Sequence, residues 1–255
     1  MLTPCFRFLD ESFYKSNFRA TFLTMPDPKN RLTEIIPHTS KEIAKLLKAT
    51  EETYRFDKAP LFYDRVLCFP QKNIGSDDFI KLVYETLQAF NMDGRGARLS
   101  EYSVFKKSIK KHREAIASLD KYKLEKLDRI DDNFKNVIGF LFDNLQLTQT
   151  NSPLVTFSKT MHFFLPDLFM PIDRKYTIQF FYKKPPYKRK NYGLSEPFKN
   201  QKQSFFQVFE QFREFSHKHR EILKSMVDSD TRWNRNIPKI VDNLIIAYVN
   251  CHMEQ

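Results

Sequence analysis

The stretch LVTFSKTMHFFLPDLFMPIDRKYTIQFF, from Leu154 to Phe181, decides the fold because it holds two apolar segments separated by a break that contains prolines. Prolines exclude one continuous helix, so the pattern predicts a helix, a turn and the start of a second helix. Each apolar segment carries a charged residue, Lys159 in the first and Asp173 at the start of the second. A lysine and a carboxylate at facing helix ends in apolar surroundings are a candidate catalytic pair.

Apolar residues recur at helical spacing over most of the remaining chain. The predicted helices begin near Thr39, Ser76 and Asn236 or cover Ser100–Ser118, Asp131–Leu145 and Gln203–Met226. The segment 57–75 is instead predicted to be a connector or short strand, and residues 1–38 to be extended. We therefore predict a mainly α protein, a bundle of about eight to ten helices with a small extended N-terminal part. In it, residues 1–75 pack on a helical core formed by residues 76–255.

The charge of the chain indicates the class of partner. Its 42 Lys and Arg residues against 31 Asp and Glu give a formal net charge of +11. This balance favours a polyanion, with nucleic acid first and an anionic membrane surface second. A lysine-rich composition set by a biased genome is the alternative.

The sequence does not indicate a disulfide-stabilised, metal-binding or membrane-spanning protein. Three widely spaced cysteines and the absence of an HExxH-type histidine pattern predict neither a disulfide framework nor a metal site. The sequence contains no transmembrane run and no signal peptide pattern. We expect a monomeric cytoplasmic protein that uses no cofactor and does not bind membranes.

Two basic segments are candidates for contact with a nucleic-acid backbone. The first lies on one face of the helix predicted over 100–118, and its cations include Lys106, Lys107 and Lys110. A solvated helix face is the alternative interpretation. The second follows the stretch from Leu154 to Phe181. Its cations are Lys183, Lys184, Lys188, Arg189 and Lys190. Tyr182, Tyr187 and Tyr192 alternate with these cations, which suits backbone contacts combined with base stacking; a disordered solvated loop is the alternative.

The segment SKTMHFFLPDLFMPIDRKY resembles the catalytic segment of the helix-hairpin-helix superfamily of DNA glycosylases, including its 8-oxoguanine glycosylase-like branch. In that superfamily a lysine opens an apolar helix, and a loop then leads to an aspartate that opens the next helix. Lys159 matches the lysine and Asp173 matches the catalytic aspartate. The resemblance covers about twenty residues, and it implies a helical bundle of the DNA-glycosylase type that acts on double-stranded DNA.

Two features of this segment depart from the superfamily pattern. The glycines that usually precede the lysine, where backbone amides bind a DNA phosphate, are absent from residues 154–158. Ser158 or the second basic segment would then bind the phosphate. The interval from Lys159 to Asp173 is also shorter than usual, so the helix or the loop between them must be shortened.

The resemblance implies that the target nucleotide rotates out of the duplex into a pocket. Asp173 would stabilise positive charge on the sugar or orient water, and Lys159 would attack C1′ to form a Schiff base. A helix cap for the aspartate and a snorkelling or helix-capping role for the lysine are the alternatives. The residues expected around the base are Asn91, Asp93, Arg95, Trp233 and Arg235.

The predicted function is therefore that of a DNA glycosylase that excises a damaged or modified base, with modified bases of foreign (phage) DNA among the substrates. A non-enzymatic nucleic-acid-binding protein on the same helical scaffold is one alternative. A protein-interaction or toxin-type module whose basic surface meets an acidic partner is another.

Overall fold

Helices make up the regular structure of the described chain. The computed structural model describes residues 30–53, 59–70, 73–92, 98–150, 152–190, 199–227 and 234–254. The helices are α1 (Arg31–Ile35), α2 (Ser40–Thr53), α3 (Ala59–Leu67), α4 (Asp77–Ala89), α5 (Tyr102–Lys111), α6 (Arg113–Ala117), α7 (Asp132–Asn144), α8 (Pro153–Phe164), α9 (Gln179–Tyr182), α10 (Gln201–Lys218), α11 (Arg220–Val227) and α12 (Ile237–Cys251). A 3₁₀ turn covers Leu124–Lys126, and a π-helical turn covers Arg174–Ile178 directly before α9. The predicted mainly α class is confirmed.

The described residues form no β-strand and contain two isolated bridges, Leu99 with Thr148 and Tyr187 with Met253. Within the same ranges, no helix combines the length and the apolar character that crossing a bilayer requires. Residues 1–29, which include most of the predicted extended part, lie outside the described residues. Helix α2 packs on α12 and α3 packs on α4, and the division into 1–75 and 76–255 stays a prediction.

Several helices begin at the predicted positions, and each of these positions carries a side chain that caps the helix. Ser76 accepts a hydrogen bond from a backbone N–H in the first turn of α4 at 3.5 Å, and Asp131 does the same for α7 at 2.7 Å. Asn236 accepts the N–H of Lys239 at 2.9 Å at the start of α12. A cap satisfies a backbone donor that the helix end leaves unpaired, and is worth about 1 kcal/mol.

Phenylalanine rings from three helices meet in the core. The ring centroid of Phe157 on α8 lies 4.9 Å from that of Phe142 on α7 and 5.3 Å from that of Phe205 on α10. Phe169, in the segment after α8, lies 6.1 Å from Phe157. All four side chains are buried. Since close packing tolerates little displacement, these rings fix α7, α8 and α10 against one another and also fix the segment after α8.

The segment 57–75, predicted to be a connector or short strand, contains α3 instead. Tyr63 and Val66 are buried and Phe62 is partly buried, and the helix packs on α4 and α8. Aromatic and β-branched residues favour strands locally. In this segment, packing on two neighbouring helices outweighs that preference.

Two predicted helices are each interrupted at a histidine. The helix predicted over Ser100–Ser118 consists of α5 and α6, which meet at His112, and the helix predicted over Gln203–Met226 consists of α10 and α11, which meet at His219. The backbone ψ is 12° at His112 and 21° at His219, outside the helical range. Neither glycine nor proline marks these positions, so the strongest local signals for a break are missing.

Asn91 closes α4 through its backbone conformation. Its φ of 57° lies in the left-handed region. Its N–H donates to the carbonyl of Gln88 at 2.8 Å, and the N–H of Met92 donates to the carbonyl of Leu87 at 3.2 Å. Together these bonds form a Schellman motif, in which the left-handed residue is usually glycine and sometimes asparagine.

We expect Asn91→Val to destabilise the protein by about 1–2 kcal/mol, because a side chain branched at Cβ strains a left-handed backbone. Asn91→Gly should be at least as stable as the wild type. Urea unfolding of the three proteins measures the difference. Equal stability of the valine and glycine variants would contradict this backbone role.

Candidate active site

The segment that joins α8 to the π-helical turn is held by three hydrogen bonds to its backbone. His162 Nδ1 donates to the carbonyl of Phe169 at 2.6 Å, and the N–H of Ile172 donates to Ser158 Oγ at 3.0 Å. The carbonyl of Asp167 accepts the N–H that opens the 3₁₀ turn at 2.9 Å. These bonds fix the path of the chain immediately before the π-helical turn.

Asp173 opens this turn as its N-cap. Its Oδ1 accepts the N–H of Tyr176 at 2.6 Å, and its carbonyl accepts the N–H of Ile178, five residues on, at 3.0 Å. Turns of this π type occur frequently at functional sites. The side chain is half-buried. The carboxylate is therefore fixed in direction while part of the side chain remains at the surface.

Ser158 is not available to a DNA phosphate, which corrects the role predicted for it. Its side chain is fully buried. The hydroxyl donates to the carbonyl of Val155 at 3.1 Å and accepts the N–H of Ile172. A hydroxyl has one proton to donate, and here that proton is already used inside the fold.

A buried ion pair lies in the first two turns of α12. Lys239 Nζ and Asp242 Oδ2 are 2.6 Å apart, and each side chain is only 5% exposed. Helix α12 also packs on the π-helical turn that Asp173 opens. Transfer of two charges out of water costs free energy, which their attraction does not always recover. A buried ion pair that is retained despite this cost is therefore a candidate functional group.

The charges of Lys159 and Asp173, the two residues predicted to be catalytic, both act on the Asp242 carboxyl of this pair. Burial raises the pKa of the Asp242 carboxyl and the Asp173 carboxylate adds to the rise, whereas the ammonium groups of Lys239 and Lys159 oppose it. Lys159 is half-buried on α8. The structure thus brings Lys159 and Asp173 into one electrostatic environment with Lys239 and Asp242. We call these four residues the charged cluster.

A chain of hydrogen bonds connects α12 with the segment before Asp173. Asn236 Nδ2 donates to the Tyr63 hydroxyl at 2.8 Å, Tyr63 donates to His162 Nε2 at 2.9 Å, and His162 Nδ1 donates to the carbonyl of Phe169. These directions follow because an amide nitrogen can only donate and a carbonyl can only accept. Burial lowers the pKa of His162 to about 3, so its imidazole is neutral, as the chain requires.

Two of the five residues predicted around the base are described. Arg235 is exposed beside the cap of α12, and its Nε lies 3.2 Å from Asp64 Oδ1 on α3. Asn91 ends α4 in the backbone role given above. Asp93, Arg95 and Trp233 lie outside the described residues.

The basic face of α5 is partly neutralised. Lys106 Nζ lies 2.7 Å from Asp77 Oδ2, and Lys110 pairs with the other oxygen of that carboxylate. These hydrogen bonds lower the pKa of Asp77. Lys107 is exposed, and no carboxylate of the described residues pairs with it. Two of the three cations predicted to face phosphate therefore already have a counter-ion.

The second basic segment, residues 183–190, keeps all five of its cations exposed. Tyr187, predicted to stack on bases, is 1% exposed and packs in the core, which corrects that part of the prediction. The Tyr182 hydroxyl donates to Gln207 at 2.8 Å. Tyr192 lies outside the described residues. The segment is therefore suited to contacts with phosphates, with little aromatic surface for bases.

Two surface hollows of the described chain involve residues outside the charged cluster. One is lined by the junction of α10 and α11, at residues 217–222, and the other lies between α3 and α4. Neither is lined by a residue of the charged cluster. In the described ranges, no three His, Cys, Asp or Glu side chains converge as metal ligands would.

Acidic pH should destabilise the protein through His162. Between pH 6.5 and about 3 the unfolded chain binds a proton at this residue and the folded protein does not, so stability falls as the pH falls. We expect His162 to account for about 2 kcal/mol of the unfolding free energy lost between pH 7 and 5. Urea titrations of wild type and His162→Gln at both pH values measure this share. The glutamine variant should be less stable at pH 7, but its unfolding free energy should fall by about 2 kcal/mol less between pH 7 and 5. An equal fall in both proteins would exclude a neutral buried imidazole.

Single substitutions in the buried ion pair should be more damaging than the double substitution. Lys239→Met or Asp242→Leu leaves one uncompensated buried charge, at a cost of about 3–5 kcal/mol. The Lys239→Met/Asp242→Leu protein buries no charge at these positions, and should be much closer to the wild type. A double-mutant cycle by chemical denaturation measures the coupling, and additive losses would contradict a buried pair.

No family model, curated protein or solved structure matches this chain. The likeness to helix-hairpin-helix glycosylases accordingly rests on the segment from Leu154 to Phe181. What the structure adds to that segment is the neighbourhood of Asp173, which consists of a fixed helix start, a buried ion pair and a basic loop.

Proposed function

We propose that this protein is a DNA N-glycosylase that excises a damaged or modified base from double-stranded DNA. The observation that carries the proposal is the placement of Asp173. Its carboxylate is held by a cap hydrogen bond, half-buried, and shares the electrostatic environment of Lys159 and the buried Lys239–Asp242 pair. A preorganised charge next to a region of low dielectric is what stabilises a cationic transition state.

Base excision requires a group that stabilises positive charge on the deoxyribose. As the bond between the base and C1′ breaks, the sugar becomes an oxocarbenium-like cation, and a fixed carboxylate lowers the energy of that state. Asp173 would supply this carboxylate, or would orient the water that adds to C1′. The extrahelical nucleotide would approach from the surface side of the half-buried carboxylate, after unstacking that costs a few kcal/mol.

Lys159 offers a second route. In its neutral form, its amine would displace the base at C1′, and opening of the sugar ring would then give a Schiff base. This route leads to strand cleavage as well as base release. Its partial burial on α8 and the effect of its charge on the buried Asp242 carboxyl support that role.

The charge distribution supports DNA as the partner. The net charge is +11, and the exposed cations of residues 183–190 follow directly on the π-helical turn and α9. Phosphate contacts of this kind supply affinity without sequence preference. We propose that the protein acts as a monomer on DNA inside the cell, on damaged bases or on modified bases of foreign DNA.

Asp173→Asn should abolish base release and leave folding and DNA affinity unchanged. Asparagine caps helices as well as aspartate does, so only the negative charge is removed, at an expected cost of about 10²–10³-fold in rate or more. The assay incubates the protein with a panel of duplexes that carry damaged or modified bases, heavily modified phage DNA among them. It measures free base by chromatography and abasic sites by alkaline cleavage.

Asp131→Asn is the matched control, because Asp131 caps α7 with a hydrogen bond of 2.7 Å, close to the 2.6 Å of Asp173. This variant should release base at the wild-type rate. Absence of base release from every duplex would refute the enzymatic proposal. Salt-sensitive binding that persists in that case would favour the non-enzymatic nucleic-acid-binding alternative, which the exposed loop cations support.

A further inference from the structure

Residues 183–190 form an exposed strip of cations that lacks acidic neighbours in sequence. No aspartate or glutamate occurs between residues 174 and 190. The five cations of the strip are Lys183, Lys184, Lys188, Arg189 and Lys190, and each is exposed. No carboxylate of the described residues pairs with any of them. This contrasts with α5, where Asp77 neutralises two lysines.

The side chain of Gln179 clamps this strip onto α9. Its Nε2 donates to the carbonyl of Lys188 at 2.9 Å, and its Oε1 accepts the N–H of Lys188 at 2.9 Å. The same Nε2 donates to the carbonyl of Lys175 at 2.6 Å. Gln179 is 1% exposed. One buried neutral amide therefore holds the middle of the strip against the turn that Asp173 opens, two residues before Lys175.

Hydrogen bonds at two further positions, Tyr187 and Lys183, also hold the backbone of the strip. The N–H of Tyr187 donates to the carbonyl of His252, and the carbonyl of Tyr187 accepts the N–H of Glu254, both at 2.8 Å. Arg31 of α1 donates from Nη2 to the carbonyl of Lys183. The strip therefore has a defined conformation before any partner binds, which reduces the entropy that binding must offset.

Arg31 is a buried cation without a carboxylate partner in the described part of the chain. It is 3% exposed, its Nη2 lies 3.5 Å from the Tyr187 hydroxyl, and its guanidinium lies 5.7 Å from the Phe180 ring centroid. Burial of a charge that lacks an ionic partner is costly. Arg31 contacts the backbone of the strip at Lys183, so a polyanion bound over the strip would supply the missing negative charge.

We propose that the strip 183–190 is a preformed binding surface for the phosphodiester backbone of duplex DNA, with Gln179 and Arg31 as its positioning residues. This deepens, and rests on, the glycosylase proposal, because the clamp at Lys175 sets the backbone contact beside Asp173. A membrane surface is less suited as the partner: the aromatic ring of Tyr187 is buried, whereas membrane-surface segments expose aromatic and aliphatic side chains to the bilayer.

The salt dependence of DNA binding tests the strip. The strip variant replaces all five of its cations with glutamine. The control variant replaces five exposed cations elsewhere, Lys121, Lys126, Arg129, Lys135 and Lys218, which lowers the net charge equally. Because each phosphate contact contributes about 0.9 to the slope of log K against log salt, the strip variant should lose up to about 4.5 from the slope. The control should lose less than about 1, with an unmodified fluorescent duplex as the probe.

The positioning role is tested by Gln179→Met, which changes no charge. If the clamp places the strip, the methionine variant should lower the salt slope by more than about 1, although every surface cation is still present. Arg31→Met should do the same, although the charge it removes is buried and touches no phosphate. Thermal unfolding identifies any variant that fails to fold, and the strip variant remains decisive in that case because all of its substitutions are exposed.

The outcomes separate this inference from the glycosylase proposal. Equal salt slopes for the strip and control variants would overturn the inference, even if the wild type releases base. A wild type that releases no base, with the strip variant still defective in binding, would refute the enzyme and leave the surface. Anionic phospholipid vesicles and single-stranded DNA are measured in parallel, and a defect confined to either would also overturn the assignment to duplex DNA.

Discussion

The hydrogen bond from His162 to the carbonyl of Phe169 fixes the geometry on which the candidate site depends. It joins α8 to the segment that leads into the π-helical turn. The imidazole can donate there because its other nitrogen accepts from Tyr63, which in turn accepts from Asn236. The orientation of the loop before Asp173 is thereby tied to α3 and α12. A buried neutral histidine is well suited to this role, since it offers one donor and one acceptor on opposite sides of a rigid ring.

The same arrangement explains why Asn236 is important beyond its cap. Its Oδ1 accepts the N–H of Lys239 and its Nδ2 donates to Tyr63. One side chain therefore begins α12 and also starts the hydrogen-bond chain that ends at Phe169. The Lys239–Asp242 pair lies in the first two turns of the helix that this cap opens. Cap, hydrogen-bond chain and ion pair consequently form one buried polar unit, and a buried network of this kind is stable only when its members are satisfied.

The sequence was informative where local chemistry decides the structure. Helix starts at Ser76, Asp131 and Asn236 were predictable because capping depends on one side chain and the backbone next to it. Helix α3 was not, because its helical state depends on packing against α4 and α8, and the breaks at His112 and His219 carry no glycine or proline.

The site was predictable to a similar degree. Lys159 and Asp173 stand out as polar residues in an apolar stretch, and the resemblance to glycosylases pointed to the same pair. Lys239 and Asp242 form a Lys-x-x-Asp pattern in the last helix, so the sequence also carries a signal for this pair. Ser158 was misassigned because its burial follows from the return of the chain at Ile172, which no local pattern encodes.

Asp173 shows how a structural role and a chemical role can coincide in one side chain. Ser76, Asp131 and Asn236 perform the same capping function with a hydroxyl, a carboxylate and an amide, so capping alone does not require a negative charge. At Asp173 the charge adds to the raised pKa of buried Asp242, an unfavourable interaction between like charges that an asparagine would avoid. An asparagine would cap this turn as well as the aspartate does, so the cap does not require the negative charge. In the proposed reaction the negative charge has a second role, because it would stabilise the cationic sugar of the departing base.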